Sequence, residues 1–226
     1  MDSDSPLESP HVHVSASPMV QAKVSQLRAA GIGMGRTRAL TAQLATLLAA
    51  EALGPDHFEV AVDGAGVTPL GEQYNELTVV PGRVVLVPVL RSGLAMVDAT
   101  LDVLPLDTVP IHYLGLFRDK DSLEPIEYYN KLPELAPGDR VDVAVVLDPV
   151  VATGGTAAAV IQSLREWGAR KVILITILAS EEGIARTLAE WPEGVHIYCG
   201  VVDAVISTNG MVLPGVGDIG DRLNRT

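Results

Sequence analysis

The sequence predicts an α/β fold, a mainly parallel sheet flanked by helices, on two observations. Short unbroken apolar runs recur along the chain: VVLVPVL at Val84–Leu90, VAVVL at Val143–Leu147, VILITIL at Val172–Leu178 and HIYCGVV at His196–Val202. Between them lie segments whose apolar residues repeat at helical spacing. Strands covered on both faces read as continuous apolar runs. Their alternation with helices argues for parallel strands joined by helical crossovers.

Each element follows from its residues. The acidic, Pro- and Ser-rich residues 1–10 read as a flexible tail, and 11–226 as a single domain. Met19, Val20, Val24 and Leu27 mark a helix over Pro18–Ala30. Leu40, Leu44, Leu47 and Leu48 mark a longer one from about Arg36 to Leu53, with Gly54 closing it. After the strand at Val84–Leu90, a helix carries Leu94, Met96, Val97, Leu101 and Leu104 and stops at Pro105. A strand at Ile111–Phe117 leads into the polar segment Arg118–Asp139, which reads as a projecting arm. Beyond the strand at Val143–Leu147, a helix with Val160, Ile161, Leu164 and Trp167 inward ends at Gly168. A further helix, about Glu182 to Glu190, separates the last two strands.

Composition narrows the function. With 16 Lys+Arg against 28 Asp+Glu, the net charge of −12 leaves too few cations for a face that grips a nucleic-acid backbone. Small anionic substrates stay open, because a few converging arginines suffice for them. A single cysteine, Cys199, allows neither an intrachain disulfide nor a cysteine zinc site and fits a reducing compartment. No signal-peptide pattern opens the chain, and no apolar run reaches the ~18 residues of a membrane span. The expectation is a cytoplasmic protein with neither membrane nor nucleic-acid partners.

The chemistry concentrates in LDPVVATGGTAAAVIQSL, Leu147–Leu164. A buried strand delivers Asp148 at its carboxyl end, where open parallel sheets bind ligands. Pro149, Val150, Val151, Ala152, Thr153, Gly154, Gly155 and Thr156 then turn the chain into a helix. Loop amides and the positive helix end converge on one spot, which suits a phosphate. Asp148 suits the vicinal hydroxyls of a ribose. A strand–TGG–helix turn without a ligand is the bland alternative. The chain has neither the GxxxxGK[ST] pattern of an ATP-hydrolysing loop nor a GxGxxG dinucleotide fingerprint.

Arg91 and Arg118 each follow a core strand, at the end where the ligand crevice lies. Guanidinium groups there suit a multidentate grip on pyrophosphate. The glycine-rich stretch NGMVLPGVGDIGDR, Asn209–Arg222, reads as a loop of exposed backbone able to read the edge of a flat heterocycle, or as a plain connector.

The segments HVHV…PMVQAKVSQLR, TPLGE, VPVLRSGLAMVD, FRDKDSLEPIEYYNKLP, LDPVVATGGT and NGMVLPGVGDIGDRL, in this order, resemble the uracil phosphoribosyltransferases from about His11 to Thr226. The resemblance implies a phosphoribosyltransferase-like fold with a protruding arm and a C-terminal base-binding loop. It implies reaction of uracil with phosphoribosyl pyrophosphate (PRPP) to give UMP and pyrophosphate, a step of pyrimidine salvage, with Mg2+ held mainly by PRPP. By position, Arg91 and Arg118 resemble the pyrophosphate contacts, and Asp148–Thr156 the loop for the ribose and 5-phosphate. Val212, Gly217, Asp218 and Ile219 resemble the uracil-reading residues, with Asp218 also near PRPP. Tyr128 and Tyr129 resemble part of an arm that helps subunits associate, and the resemblance implies a homodimer or homotetramer and a GTP effector. Ser92, Ala95, Val150, Val151, Met211 and Ile219 depart from the usual pattern. The last two, on the base side, keep a different nucleobase as an alternative. A non-catalytic UMP- or PRPP-binding homologue is the other.

Overall fold

The computed structural model describes residues 5–106, 108–118, 125–136 and 138–226. In chain order the elements are β1 (Val12–Val14), α1 (Pro18–Arg28), α2 (Met34–Ala52), β2 (Glu59–Val67), β3 (Gln73–Val80), β4 (Val84–Leu90) and α3 (Val97–Leu101). Then follow β5 (Leu114–Arg118), β6 (Pro125–Asn130), β7 (Val143–Leu147), β8 (Val150–Val151), α4 (Gly155–Trp167), β9 (Val172–Ser180), α5 (Glu181–Glu190), β10 (Val195–Asp203), β11 (Val205–Ile206), β12 (Val212–Leu213) and α6 (Ile219–Asn224).

The main sheet runs β1-β10-β9-β7-β4-β5-β6, with β8 also pairing β9. All its pairings are parallel except β5 with β6. The period of two decides which layer each strand residue feeds. Val84, Leu86, Val143, Val145, Leu147, Ile173 and Ile175 face α1, α2 and α6. Val85, Val87, Val89, Ala144, Val146, Val172 and Leu174 face α4 and α5. Both faces are covered, which is why β9 is buried along its whole length. Among the described residues no helix is long and apolar enough to cross a membrane.

Three features differ from the sequence reading. Within the stretch read as a tail, Pro6–Glu8 form a 3-10 turn capped by Ser5, and Leu7 packs on the α4/α5 layer. The second is a hairpin, β2 with β3, that stands as its own two-stranded sheet. Its Val60, Val62, Val67, Leu70 and Leu77 are all exposed, so no core pattern announces it. The third is the glycine-rich C-terminal stretch, which holds an antiparallel pair, β11 with β12, and the short helix α6. The expected arm after β5 returns as β6, and its residues 119–124 lie outside those described.

At the amino end of β1 and β10 sits a cluster of rings. His196 lies 4.4 Å from both His11 and His57 between ring centroids, and His13 stacks on Tyr198 at 4.4 Å. His57 joins the Tyr198 hydroxyl at 3.1 Å through Nε2 and the Lys171 amine at 3.2 Å through Nδ1. The parallel register places this cluster at the opposite end of the sheet from Asp148.

Candidate active site

Asp148 leaves the carboxyl end of β7, between β4 and β9. Its own N–H donates to Ile175 O at 3.3 Å, and Pro149 O accepts from the N–H groups of Ile177 and Leu178, both at 3.1 Å. The loop therefore starts clamped to β9. Farther on, the Ser180 hydroxyl donates to Ala152 O at 2.6 Å and accepts from Gly183 N–H at 2.8 Å. Gly154, at φ +74°, is the left-handed residue from which α4 begins. A Cβ there would stand 2.5 Å from the Gly183 carbonyl oxygen, so the loop needs glycine for both shape and space.

These residues enclose a cleft of about 180 Å³ lined by Asp148, Val150, Val151, Ala152, Gly154 and Thr156 together with Leu90, Ser92 and Leu116. The first-turn amides of α4 have no acceptor within the helix and make this end electropositive. Asp148 is only 8% exposed. Burial pushes its carboxyl up to about 7, against a hydrogen bond from the Val150 N–H that favours the ionised form. An acid poised there gains its charge readily when hydroxyl donors arrive.

Arg91 begins the 3-10 turn Ser92–Met96 directly after β4, and Leu94 N–H closes onto its carbonyl at 3.2 Å. Gly93 is what lets this turn press on β7: a Cβ would run into the carbonyl oxygen of Leu147, the residue before Asp148. The Arg91 guanidinium borders a second cleft of about 370 Å³, shared with Arg38, Ser92, Leu223 and Asn224. Ser92 lines both clefts, so the two are neighbours. Arg91 Nη2 lies 3.9 Å from Asp221 Oδ1, a half-exposed pair. Arg118 ends β5, on the far side of β4 from β7; its side chain lies outside the described residues.

The C-terminal residues sort by burial. Val212, Val216, Ile219 and Leu223 are buried in the cluster that Val150 and Ala152 also pack against, which ties this stretch to the loop after Asp148. Gly217 and Asp218 are exposed, and Asp218 caps α6 by accepting from Asp221 N–H at 3.0 Å. The bulk of Ile219 thus goes into the core. Met211 is half-buried, and its N–H donates to Ser207 Oγ at 3.0 Å.

Sequence reasoning missed three residues that shape this region. Arg28 and Asp203 form an ion pair at 2.7 Å, and Arg222 donates to Leu27 O at 2.7 Å and Ala29 O at 2.8 Å. Arg28 and Asp203 are 175 residues apart, so no local pattern could have paired them.

Comparison with known proteins gives the family of the chain. Residues 14–226 match the family described as uracil phosphoribosyltransferase. A uracil phosphoribosyltransferase of Roseiflexus sp. (strain RS-1) is 40% identical over 213 residues, 94% of this chain and 97% of the relative. That of Caldanaerobacter subterraneus is 36% identical over 218 residues, again 94% of this chain and 97% of the relative. A solved structure from Aquifex aeolicus, 31% identical, superposes with a TM-score of 0.81 over 94% of this chain and 97% of that one. The chain belongs to the uracil phosphoribosyltransferase family.

Proposed function

We propose that this protein joins uracil to the ribose 5-phosphate of PRPP, giving UMP and pyrophosphate. The observation that carries it, beside family membership, is a buried Asp148 opening directly into a glycine turn and a helix N-terminus.

The reaction is a substitution at the ribose anomeric carbon. The bond to pyrophosphate breaks with its electron pair, positive charge develops on the sugar, and uracil N1 closes the new bond after losing its proton. The α4 first-turn amides, Thr153 and Thr156 hold the 5-phosphate. Asp148 accepts from the ribose hydroxyls and fixes the ring. Arg91 and Arg118 stabilise the departing pyrophosphate, a positioning and electrostatic task. Backbone donors around Val212 and Gly217–Ile219 hold the uracil carbonyl oxygens and ease loss of the N1 proton, with Asp218 beside them. Among the described residues lining the first cleft Asp148 is the one carboxylate, which suits a Mg2+ whose main ligands are the oxygens of PRPP. When bound, that ion offsets charge on the leaving group.

The same reading extends to assembly and setting. A two-stranded hairpin alone is marginal in water. The exposed apolar residues of β2 and β3 therefore suit burial against a second copy, making a homodimer or homotetramer in which Tyr128 and Tyr129, also exposed, take part. A GTP effector and a cytoplasmic location complete the proposal.

The test is a coupled assay with PRPP, Mg2+ and labelled uracil. UMP forms with the native chain and falls by orders of magnitude in Asp148→Asn and Arg91→Ala. Tight UMP binding with no turnover would show a binding protein instead, and turnover only with another base would move the substrate.

A further inference from the structure

We infer that Arg28 and Asp203 are positioning residues for uracil, because together they lock Gly215 and so set the loop that reads the base. The inference rests on the reading above that residues 212–219 face uracil.

The geometry is a closed ring. Arg28 is the last residue of α1 and Asp203 the last of β10. Arg28 donates to both carboxylate oxygens of Asp203, at 2.7 Å and 2.8 Å. Asp203 Oδ2 also accepts from the Gly215 N–H at 2.9 Å, and Arg28 Nη1 also donates to the Gly215 carbonyl at 2.8 Å. One ion pair thus fixes both polar backbone atoms of one loop residue. Gly215 lies between Val212 and Gly217, at φ +61°, with no room for a side chain: a Cβ would strike the Val212 carbonyl oxygen. The next residue is pegged as well, since Arg222 Nη1 donates to the Val216 carbonyl while its guanidinium holds the end of α1.

Energetics argue that the pair serves geometry. Asp203 is 8% exposed and Arg28 25%. Burial raises the Asp203 carboxyl, but the Arg28 and Gly215 hydrogen bonds more than offset it and keep the group below the usual carboxylate range. The pair is therefore ionised at neutral pH. A desolvated ion pair of this kind adds little net stability over apolar residues of the same volume. What it supplies is direction: five-donor guanidinium planarity and carboxylate planarity together fix Gly215 in orientation as well as place. A base read through backbone N–H and C=O groups needs that, because no side chain can re-aim to correct a displaced main chain.

The test separates uracil from PRPP. Asp203→Asn keeps the shape but cannot satisfy both Arg28 and Gly215; Arg28→Lys keeps the charge but loses the fork. In each, KM for uracil rises roughly tenfold or more while KM for PRPP stays within about twofold, and discrimination against cytosine falls. Ile161→Val, a core change on α4, lowers the melting temperature without altering the ratio of the two KM values. If either variant does not fold, the other carries the same measurement. Parallel changes in both KM values, or an unchanged KM for uracil, overturn the positioning role. Failure of the native chain to make UMP at all overturns the proposed function instead.

Discussion

Gly154 and Gly183 meet face to face where the Asp148–Thr156 loop packs on α5: a Cβ on the first would lie 2.5 Å from the carbonyl oxygen of the second. In the other direction, a Cβ on Gly183 would strike the carbonyl oxygen of Ala152. Gly183 belongs to α5 and backs the loop without itself lining the cleft. Gly183→Ala is expected to push the loop outward, raise KM for PRPP about tenfold and cost about 1–3 kcal/mol of stability. Steady-state kinetics with a thermal melt check this; an unchanged KM would mean that the loop yields without consequence.

Burial of Asp148 gives a signed pH dependence. Its folded value of about 7 lies above the ordinary 3.8, so the folded protein holds the extra proton between those limits. Stability from this group is full below about pH 4 and is lost as pH rises through about 7. Melting curves of Asp148→Asn are expected to diverge from native across that window, with the variant gaining relative stability as pH rises. PRPP affinity in the native protein strengthens as pH rises through about 7, since the ionised carboxylate is the acceptor. Calorimetric titration across the range reads this, and a flat profile contradicts the assignment.

The ring cluster at the far end of the sheet works with the opposite sign. Burial, then the Lys171 charge, lowers His57 to about 4; burial, then His57, lowers His196 to about 3. Both stay neutral in the fold while an unfolded histidine takes a proton near pH 6.5. Their stability is present above pH 6.5 and lost as pH falls through about 4 and about 3. His196→Gln is therefore expected to lessen the drop in melting temperature between pH 6.5 and 4 relative to native. Equal slopes for the two proteins would remove this cluster from the acid response.

Ile219 is 6% exposed and packed in the core. Ile219→Ala should cost about 2–5 kcal/mol through the cavity it leaves. The order of preference among uracil, orotate, hypoxanthine and xanthine should not change. A switch of base with little loss of stability would put this side chain in the pocket after all.

The hairpin offers a solubility-neutral test of assembly. Val62 and Leu77 face each other in register, 63% and 62% exposed. If the proposed assembly buries this hairpin, replacing them by Lys and Glu is expected to leave the monomer fold intact and abolish self-association, read by sedimentation. An oligomer that survives the change is held by another surface.

The sheet was legible because its strands are buried on both sides: β4, β7, β9 and β10 carry unbroken apolar runs that little else in a small domain explains. The strand–turn–helix unit at Asp148–Thr156 was legible for the same reason, since Asp148 and the glycines follow such a run. β2 and β3 escaped because their apolar residues face outward and form no core stripe. β1, with three residues, and β8, with two, are too short to carry a period. α6 escaped because its cap, Asp218, sits among glycines that argued against a helix. The close fits of Gly93 and Gly183 belong to pairs of elements distant in sequence, so their glycines looked ordinary.

The pairing of β1 with β10, and of Arg28 with Asp203, joins the first thirty residues of the chain to its last thirty. A ribosome delivers the former long before the latter exist. Until β10 emerges, β1 has no hydrogen-bonding neighbour in the sheet, and until the final loop follows, Arg28 has no carbonyl of Gly215 to hold. The nascent protein must carry the complete Asp148–Thr156 loop for some time without residues 212–219, and losing Asp203 and Gly215 would unmoor β1 and Arg28 together.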